Sequence, residues 1–259
     1  MSDNPSEMLT FGGHLDVLRS MLFRVLGVTL AFAVAIFIFK DATFTLLLAP
    51  GEWDFATYRL IEDILHAFGS DFTFGEYHID LIATDLSSQF MTHISTSIYL
   101  GLLLASPYIV FELYGFVAPA LLDSERRYSV RIVVIVYLLF ILGVLMSYYV
   151  LFPISFRFLG TYSVASDVRS MITLDSYIST FITLTLVMGL VFQLPVMAYI
   201  LGRMGILNAE AMRRYRKHAL IVIMIVAAVI TPPDIMSLIL VALPLYMLYE
   251  VSIRVVRRI

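Results

Sequence analysis

Apolar residues along the chain gather into six runs separated by polar or charged segments: Met21–Phe39, Phe90–Phe116, Ile132–Phe152, Ser176–Leu201, His218–Ile230 and Ile235–Val251. A helix that crosses ~30 Å of hydrocarbon needs roughly 20 such residues at ~1.5 Å rise each. The first four runs are long enough. The last two each fall short by about a quarter of that length. They are joined by Thr231-Pro232-Pro233-Asp234 and bounded by the basic segment RRYRKH at Arg213–His218 and by Glu250. Such a hairpin either thins its bilayer or serves as a docking surface.

Two other segments show a helical period. Phe55, Leu60, Ile61, Ile64, Leu65 and Phe68 form a stripe near i, i+3/i+4 spacing, which predicts a short amphipathic helix capping the outer face. Phe11, Leu15, Leu18 and Leu22 make one apolar face. That pattern predicts an interfacial helix before the chain turns into the membrane, with Asp16 opposite and Arg19 snorkelling at the stripe's edge. Pro107, Pro119, Pro153, Pro195 and Pro244 fall within or at the ends of the runs, where each kinks or stops a helix. Five such breaks fit a curved rigid scaffold or a transporter with broken helices.

Composition agrees with the pattern. The chain has 259 residues, of which 60% are hydrophobic and 14% charged, against about 25% charged in a soluble domain. The fold class expected is all-α, a polytopic membrane protein with six spans. The polar, acidic start lacks the basic region of a cleavable signal peptide, so the first run is expected to remain as a membrane helix. With no cysteine there are no disulfides or thiolate sites.

Lys and Arg set the orientation. With the N-terminus inside, the inner segments collect Arg19, Arg24, Arg126, Arg127, Arg131, Arg203, the RRYRKH cations, Arg254, Arg257 and Arg258. Only Lys40, Arg59, Arg157 and Arg169 fall outside. Both termini are therefore expected in the cytoplasm. An even number of spans follows, which requires the last two runs to be a true hairpin. The region 40–89 becomes a long acidic outer loop, and 1–20 an inner interfacial segment of one 1–259 domain.

Few side chains offer chemistry. Gln193 sits mid-span, either as interhelical glue or as a polar spot in a water-accessible concavity. Glu112 lies within the second run, where it either pairs internally or sits at a helix break near the inner surface, and a structural role is favoured. Glu125, in LLDSERR, reads either as a first-turn residue behind an N-capping Ser124 or as an acceptor for a bidentate guanidinium. Asp234 is placed to cap the sixth helix, and Glu250 to pair with Arg254 at i, i+4. No HExxH, GxSxG or P-loop pattern occurs. Neither an enzyme nor a cofactor is expected, and nucleic acid is not an expected partner.

Taken in order, several motifs resemble those of the twin-arginine translocase C-subunit family, TatC. They are HLxxLR at His14–Arg19, SPYIVFELYGFVAPALLDSERR at Ser106–Arg127, YYVLFP at Tyr148–Pro153 and GLVFQLPV at Gly189–Val196. MGIL at Met204–Leu207, RRYRKH, TPPD and LPLYMLYE at Leu243–Glu250 follow. The resemblance implies a glove-shaped receptor in the bacterial cytoplasmic (inner) membrane, with two short final helices. It would bind twin-arginine signal peptides of folded cargo and organise TatA- and TatB-type single-span subunits. Export would be driven by the proton-motive force, with the receptor in a homo-oligomeric complex. It further implies that Glu125 receives the signal-peptide arginines, with Arg19 and Phe116 beside that surface. Pro50, Thr231, Pro232, Asp234 and Glu250 are implied as structural or partner-docking positions, and Gln193 as the intramembrane polar one.

Three departures stand out. Val17 occupies the family's Glu position, and Asp16 beside it is rotated by ~100° on a helix. Leu238 replaces a Gln after TPPD, and the region 51–80 is longer than usual. A secondary transporter with a midplane site is the competing class. The sequence shows no clear inverted repeat and few intramembrane carboxylates to support it.

Overall fold

The computed structural model describes residues 11–117, 129–163, 165 and 170–259. The expected spans appear as helices: α1 (Phe11–Ile38), α4 (Ser88–Val117), α5 (Ser129–Met146) with α6 (Phe152–Thr161), α7 (Leu174–Val191) with α8 (Leu194–Arg203), α10 (Arg216–Ile230) and α11 (Ile235–Val256). Shorter helices α2 (Lys40–Leu48), α3 (Ala56–Ala67) and α9 (Ala209–Arg214) connect them. Among the described residues, five helical stretches are long and apolar enough to cross a membrane; α10, with 15 residues, is not one of them.

Two of the prolines stop no helix, and two others stand where one helix gives way to the next. Pro107 and Pro244 sit inside α4 and α11. Pro153 follows a π-helical turn, Ser147–Leu151, in which the Phe152 amide reaches back to the Ser147 carbonyl. The wider turn absorbs the place where proline withholds its donor. Pro195 opens α8 after a two-residue break. Pro119 lies outside the described residues. Helix α1 corrects one expectation. It runs unbroken from Phe11, so no turn separates the N-terminal amphipathic stretch from the apolar run. Between Leu15 and Leu26 good helix formers and Arg alternate with Asp16, Val17, Ser20, Phe23 and Val25, and no Gly or Pro interrupts them.

Contacts divide the chain into two units, residues 1–39 with 97–137 and residues 40–96 with 138–259. In the first unit, α1 and α4 touch where Gly101 meets Ala33. A Cβ on Gly101 would stand 2.8 Å from the Ala33 nitrogen, so only glycine permits this approach. The second unit is centred on aromatic rings. Phe152 meets Tyr177 and Phe181 edge-on, with centroids 4.9 and 5.0 Å apart, and Tyr177 meets Phe156 at 4.8 Å. The Tyr177 hydroxyl donates to the Leu47 carbonyl at 3.0 Å. This ties the buried Pro50, in the 3-10 turn Ala49–Gly51, to the cluster.

The amphipathic segment forms α3, as its period predicts. Its Tyr58 is buried and donates to the Pro153 carbonyl at 2.7 Å. Arg157 stacks on Tyr58, Phe74 and Tyr77 with its guanidinium carbon 4.5–5.0 Å from their centroids, and donates to the Gly75 carbonyl at 2.9 Å. Tyr77 donates to the Gly51 carbonyl at 3.0 Å. The long 51–80 region thus folds around one arginine from α6. Burial is the main cause that pushes the Tyr58 and Tyr77 phenols above their ordinary range. Two residues, Leu81–Ile82, pair in parallel with Ile172–Thr173 beside this cap.

Candidate functional site

The first unit assembles carboxylates and cations at one end of the α1–α4 pair. Gly101 packs on Ala33, and farther along Glu112 meets Arg24, so the two helices run antiparallel. The register carries the last turn of α4, with Phe116, to the end where Asp16 and Arg19 lie on α1. Arg24 Nη2 lies 2.9 Å from Glu112 Oε2, and the Tyr108 hydroxyl donates to Oε1 at 2.7 Å. The Glu112 side chain is only 12% exposed. Each of its oxygens therefore already accepts a bond, which agrees with the internal-pair reading. Tyr108 sits one turn before Glu112 and was legible as an i, i+4 partner. Arg24 was not, because helix register alone does not say which face of α1 meets α4.

Asp16 and Val17 are exposed near the start of α1. The Arg19 guanidinium lies 5.7 Å over the Phe23 ring, beside a hollow walled by Leu18, Leu22 and Leu26. Arginine stems commonly cover apolar surface in this way while the charged head stays near water. Glu125 lies outside the described residues.

Gln193 marks the break between α7 and α8. Its side-chain nitrogen donates to the Gly189 carbonyl at 3.3 Å, and its backbone carbonyl accepts from Val196 and Met197 at 3.0 Å each. Across the break the Gln193 backbone N–H turns to the Leu190 carbonyl, and the side-chain amide takes the Gly189 carbonyl in its place. Just before it, α5 and α7 cross on two glycines. A Cβ on Gly143 would stand 2.5 Å from the Met188 carbonyl oxygen, and one on Gly189 2.6 Å from the Phe140 ring.

The final hairpin is fastened at both ends. At the turn, Thr231 donates to the Ala227 carbonyl at 2.9 Å, and Asp234 Oδ1 accepts from the Ser237 amide at 2.7 Å, capping α11 as expected. Pro232 is half-buried there. Between the helices Ile223, Ala227, Val241 and Leu245 are buried. At the base, Arg216 Nε lies 2.7 Å from Glu250 Oε1 and Nη2 lies 2.8 Å from Oε2. This corrects the expected Glu250–Arg254 pair. A planar guanidinium offered side-on from α10 makes two parallel bonds, which an i, i+4 neighbour on the same helix does not match. The nearby Tyr249 hydroxyl donates to the Met212 carbonyl at 2.7 Å.

The hairpin's apolar length follows from these landmarks. From Arg216 to Ile230, and from Ile235 to Glu250, the rise is about 21–23 Å at ~1.5 Å per residue. Helix α11, with 22 residues, is among the stretches long and apolar enough to cross, so of the two runs expected to be short only α10 is; the distance above counts α11 only as far as the ion pair at Glu250. The short dimension is thus a property of the slab between the ion pair and the turn.

The chain is similar to known proteins over most of its length. The family model described as Sec-independent protein translocase protein (TatC) matches residues 13–244. The Sec-independent protein translocase protein TatC of Blattabacterium sp. subsp. Periplaneta americana is 34% identical over 254 residues, covering 96% of each chain. That of Escherichia coli (strain K12) is 36% identical over 173 residues, covering 67% of each. A crystal structure of the twin arginine translocase receptor TatC superposes with a TM-score of 0.73 at 27% identity, covering 95% of this chain and 98% of its own.

Proposed function

The chain belongs to the TatC family of Sec-independent protein translocase proteins, and from that premise we propose how it serves as the receptor of a twin-arginine translocase. The signal peptide's arginine pair docks on Glu125, assisted by Asp16, with Arg19 and Phe116 bordering the surface. The observation that carries this reading is the double engagement of Glu112 by Arg24 and Tyr108. A carboxylate already accepting on each oxygen is a poor receiver for an incoming guanidinium. Asp16 is exposed, and Glu125 is the acceptor that the family resemblance supplies. Two charge-assisted bonds of ~1.5–3 kcal/mol each would favour arginine over lysine, which lacks the planar fork.

Both termini and residues 1–20 face the cytoplasm of a bacterial inner membrane, and 40–89 face outward, as the basic-residue bias supports. The whole chain acts as one domain in a homo-oligomeric receptor complex. The signal peptide's apolar core enters a concavity at Gln193. The short hairpin receives the single helices of TatA- and TatB-type subunits, and transport draws on the proton-motive force without catalysis by this chain. The break at Gln193 is a feature a midplane transporter would share, but it carries no ion-coupling carboxylate, and family membership replaces that alternative.

Signal-peptide crosslinking and export of a twin-arginine substrate test the site. Glu125→Ala should abolish both, and Asp16→Ala should lower both. Export at the wild-type rate by Glu125→Ala overturns the assignment. If Asp16→Ala alone is silent, the assisting role of Asp16 is lost and Glu125 stands by itself.

A further inference from the structure

Two adjoining hollows lie at the end of α11 that carries the basic tail. The first, of about 580 Å³, is bordered by Asn208, Glu210, Arg213 and Arg257. The second, of about 370 Å³, lies between α8, α9 and α11 and is walled mainly by apolar groups, Met197 and Leu201 among them. Leu207 borders both. The chain makes room for them with a sharp reversal after α8, where Gly205 adopts φ +74°, a conformation open to glycine, and its amide donates to the Gly202 carbonyl at 3.0 Å. Leu207 and Ala209 then pack on the small core of Ala198, Met212, Ile253 and Val256, which fixes the floor between the hollows.

The chemistry of the pair is that of an amphiphile's mould. Among the side chains that border the first hollow, Arg213 and Arg257 outnumber Glu210. Asn208 commits its carbonyl oxygen to the Glu210 amide at 2.9 Å, leaving its NH2 as a donor. The second hollow offers almost no polar surface, and exposed Met197 and Tyr215 stand at its rim. Two arginines repel a peptide that carries an arginine pair, so the site suits a ligand of the opposite charge. We propose that the paired hollows hold one anionic phospholipid, its phosphate between Arg213 and Arg257 and an acyl chain in the furrow walled by Met197 and Leu201. Basic pockets at the cytoplasmic ends of membrane helices are a recurrent setting for such headgroups. The assignment to the inner leaflet rests on the orientation proposed above. Binding in detergent does not, so failure of either reading leaves the other separately testable.

The test is native mass spectrometry of the full-length protein in neutral detergent, titrated with palmitoyl-oleoyl phosphatidylglycerol, the matching phosphatidylcholine, dihexanoyl phosphatidylglycerol or inorganic phosphate. One long-chain phosphatidylglycerol should be retained in preference to phosphatidylcholine. The Arg213→Gln/Arg257→Gln double variant should bind about 30-fold more weakly, at ~1 kcal/mol per cation. The Arg213→Lys/Arg257→Lys variant should keep most of the affinity, which separates lost charge from lost folding. Glu210→Gln should tighten binding about fivefold. Arg258→Gln, the same charge change outside the hollow, should alter it less than about twofold. Loss of the acyl contribution should weaken the short-chain lipid by at least about tenfold. Equal retention of phosphatidylcholine, or an Arg258→Gln effect as large as the double variant's, overturns the proposal. So does displacement of the lipid by equimolar phosphate, which would mark a free-anion site, or by a single-span helical peptide, which would mark a partner groove.

Discussion

Neutralising Glu250 should loosen the base of the final hairpin, and the size of the effect can be worked from the Arg216 contact. Two charge-assisted bonds of ~1.5–3 kcal/mol each would sum to ~3–6 kcal/mol if fully shielded. They are not: the Arg216 side chain is 44% exposed and Glu250 23%. Solvent screening moves such a pair toward the ~0.2–1 kcal/mol of exposed ion pairs. The side-on geometry and the restraint of both helices keep it near the top of that range, at about 1 kcal/mol, or roughly fivefold in an equilibrium constant. The assay is a double-mutant cycle with Arg216→Gln, Glu250→Gln and the pair, unfolded by sodium dodecyl sulfate from mixed micelles and followed by circular dichroism. The coupling should shrink in about 1 M salt, where the screening length is ~3 Å. A coupling indistinguishable from zero, or an equally large coupling of Glu250 to Arg254→Gln, refutes the assignment.

Two further outcomes follow from close packing and from the cap around Arg157. Gly143→Ala should destabilise the protein by about 1–3 kcal/mol, because its Cβ would collide with the Met188 carbonyl rather than with a yielding side chain. Gly27→Ala, with open space around it, should instead raise stability by up to ~1 kcal/mol; the same unfolding assay compares them, and a similar sign for both would count against the crossing. The cap around Arg157 should be sensitive to alkali. The folded-state phenols of Tyr58 and Tyr77 are raised. Their contribution is therefore fully present below the ordinary tyrosine value near ~10 and declines as pH rises above it. Limited proteolysis of the 51–80 region from pH 7 to 11 should show protection lost only at the alkaline end, and unchanged cleavage throughout would remove the phenols from the cap's stability.

Periodicity sufficed for the helices because a lipid-facing chain must satisfy its backbone within each span. The α3 stripe, the break at Pro195 and the Asp234 cap were all visible as local patterns. What escaped was pairing across elements. Glu250 was assigned Arg254 because the sequence displays neighbours on one helix and hides the helix folded against it. Arg24 with Glu112, and Arg157 inside three aromatic rings, escaped for the same reason. The unbroken α1 escaped because an apolar face near a terminus reads alike whether its helix lies on a surface or continues into the membrane. The main carboxylate of the candidate site, Glu125, came from family resemblance; the residues alone left it balanced between a capping role and an arginine acceptor.

The hairpin's fastenings narrow what its shortness can do. A span of about 21–23 Å in ~30 Å of hydrocarbon is accommodated by bilayer thinning, by snorkelling of flanking cations or by association with another helix. Snorkelling needs a flanking cation free to extend. Arg216 is not, because its guanidinium is turned sideways onto Glu250, but the exposed Arg214 and Lys217 beside it can extend at the base. The other end has no cation to extend, since the turn is Thr231–Asp234 and Asp234 is committed to the Ser237 amide. At the turn end thinning and association remain, and they reinforce each other, because a second short helix laid on the exposed Met236, Ile239, Leu243 and Met247 face would share the cost of one thinned patch. If the hairpin docks a partner helix as proposed above, one of short apolar length would fit the turn end better than a full-length one, through the slab's thickness there rather than through any polar group at Leu238.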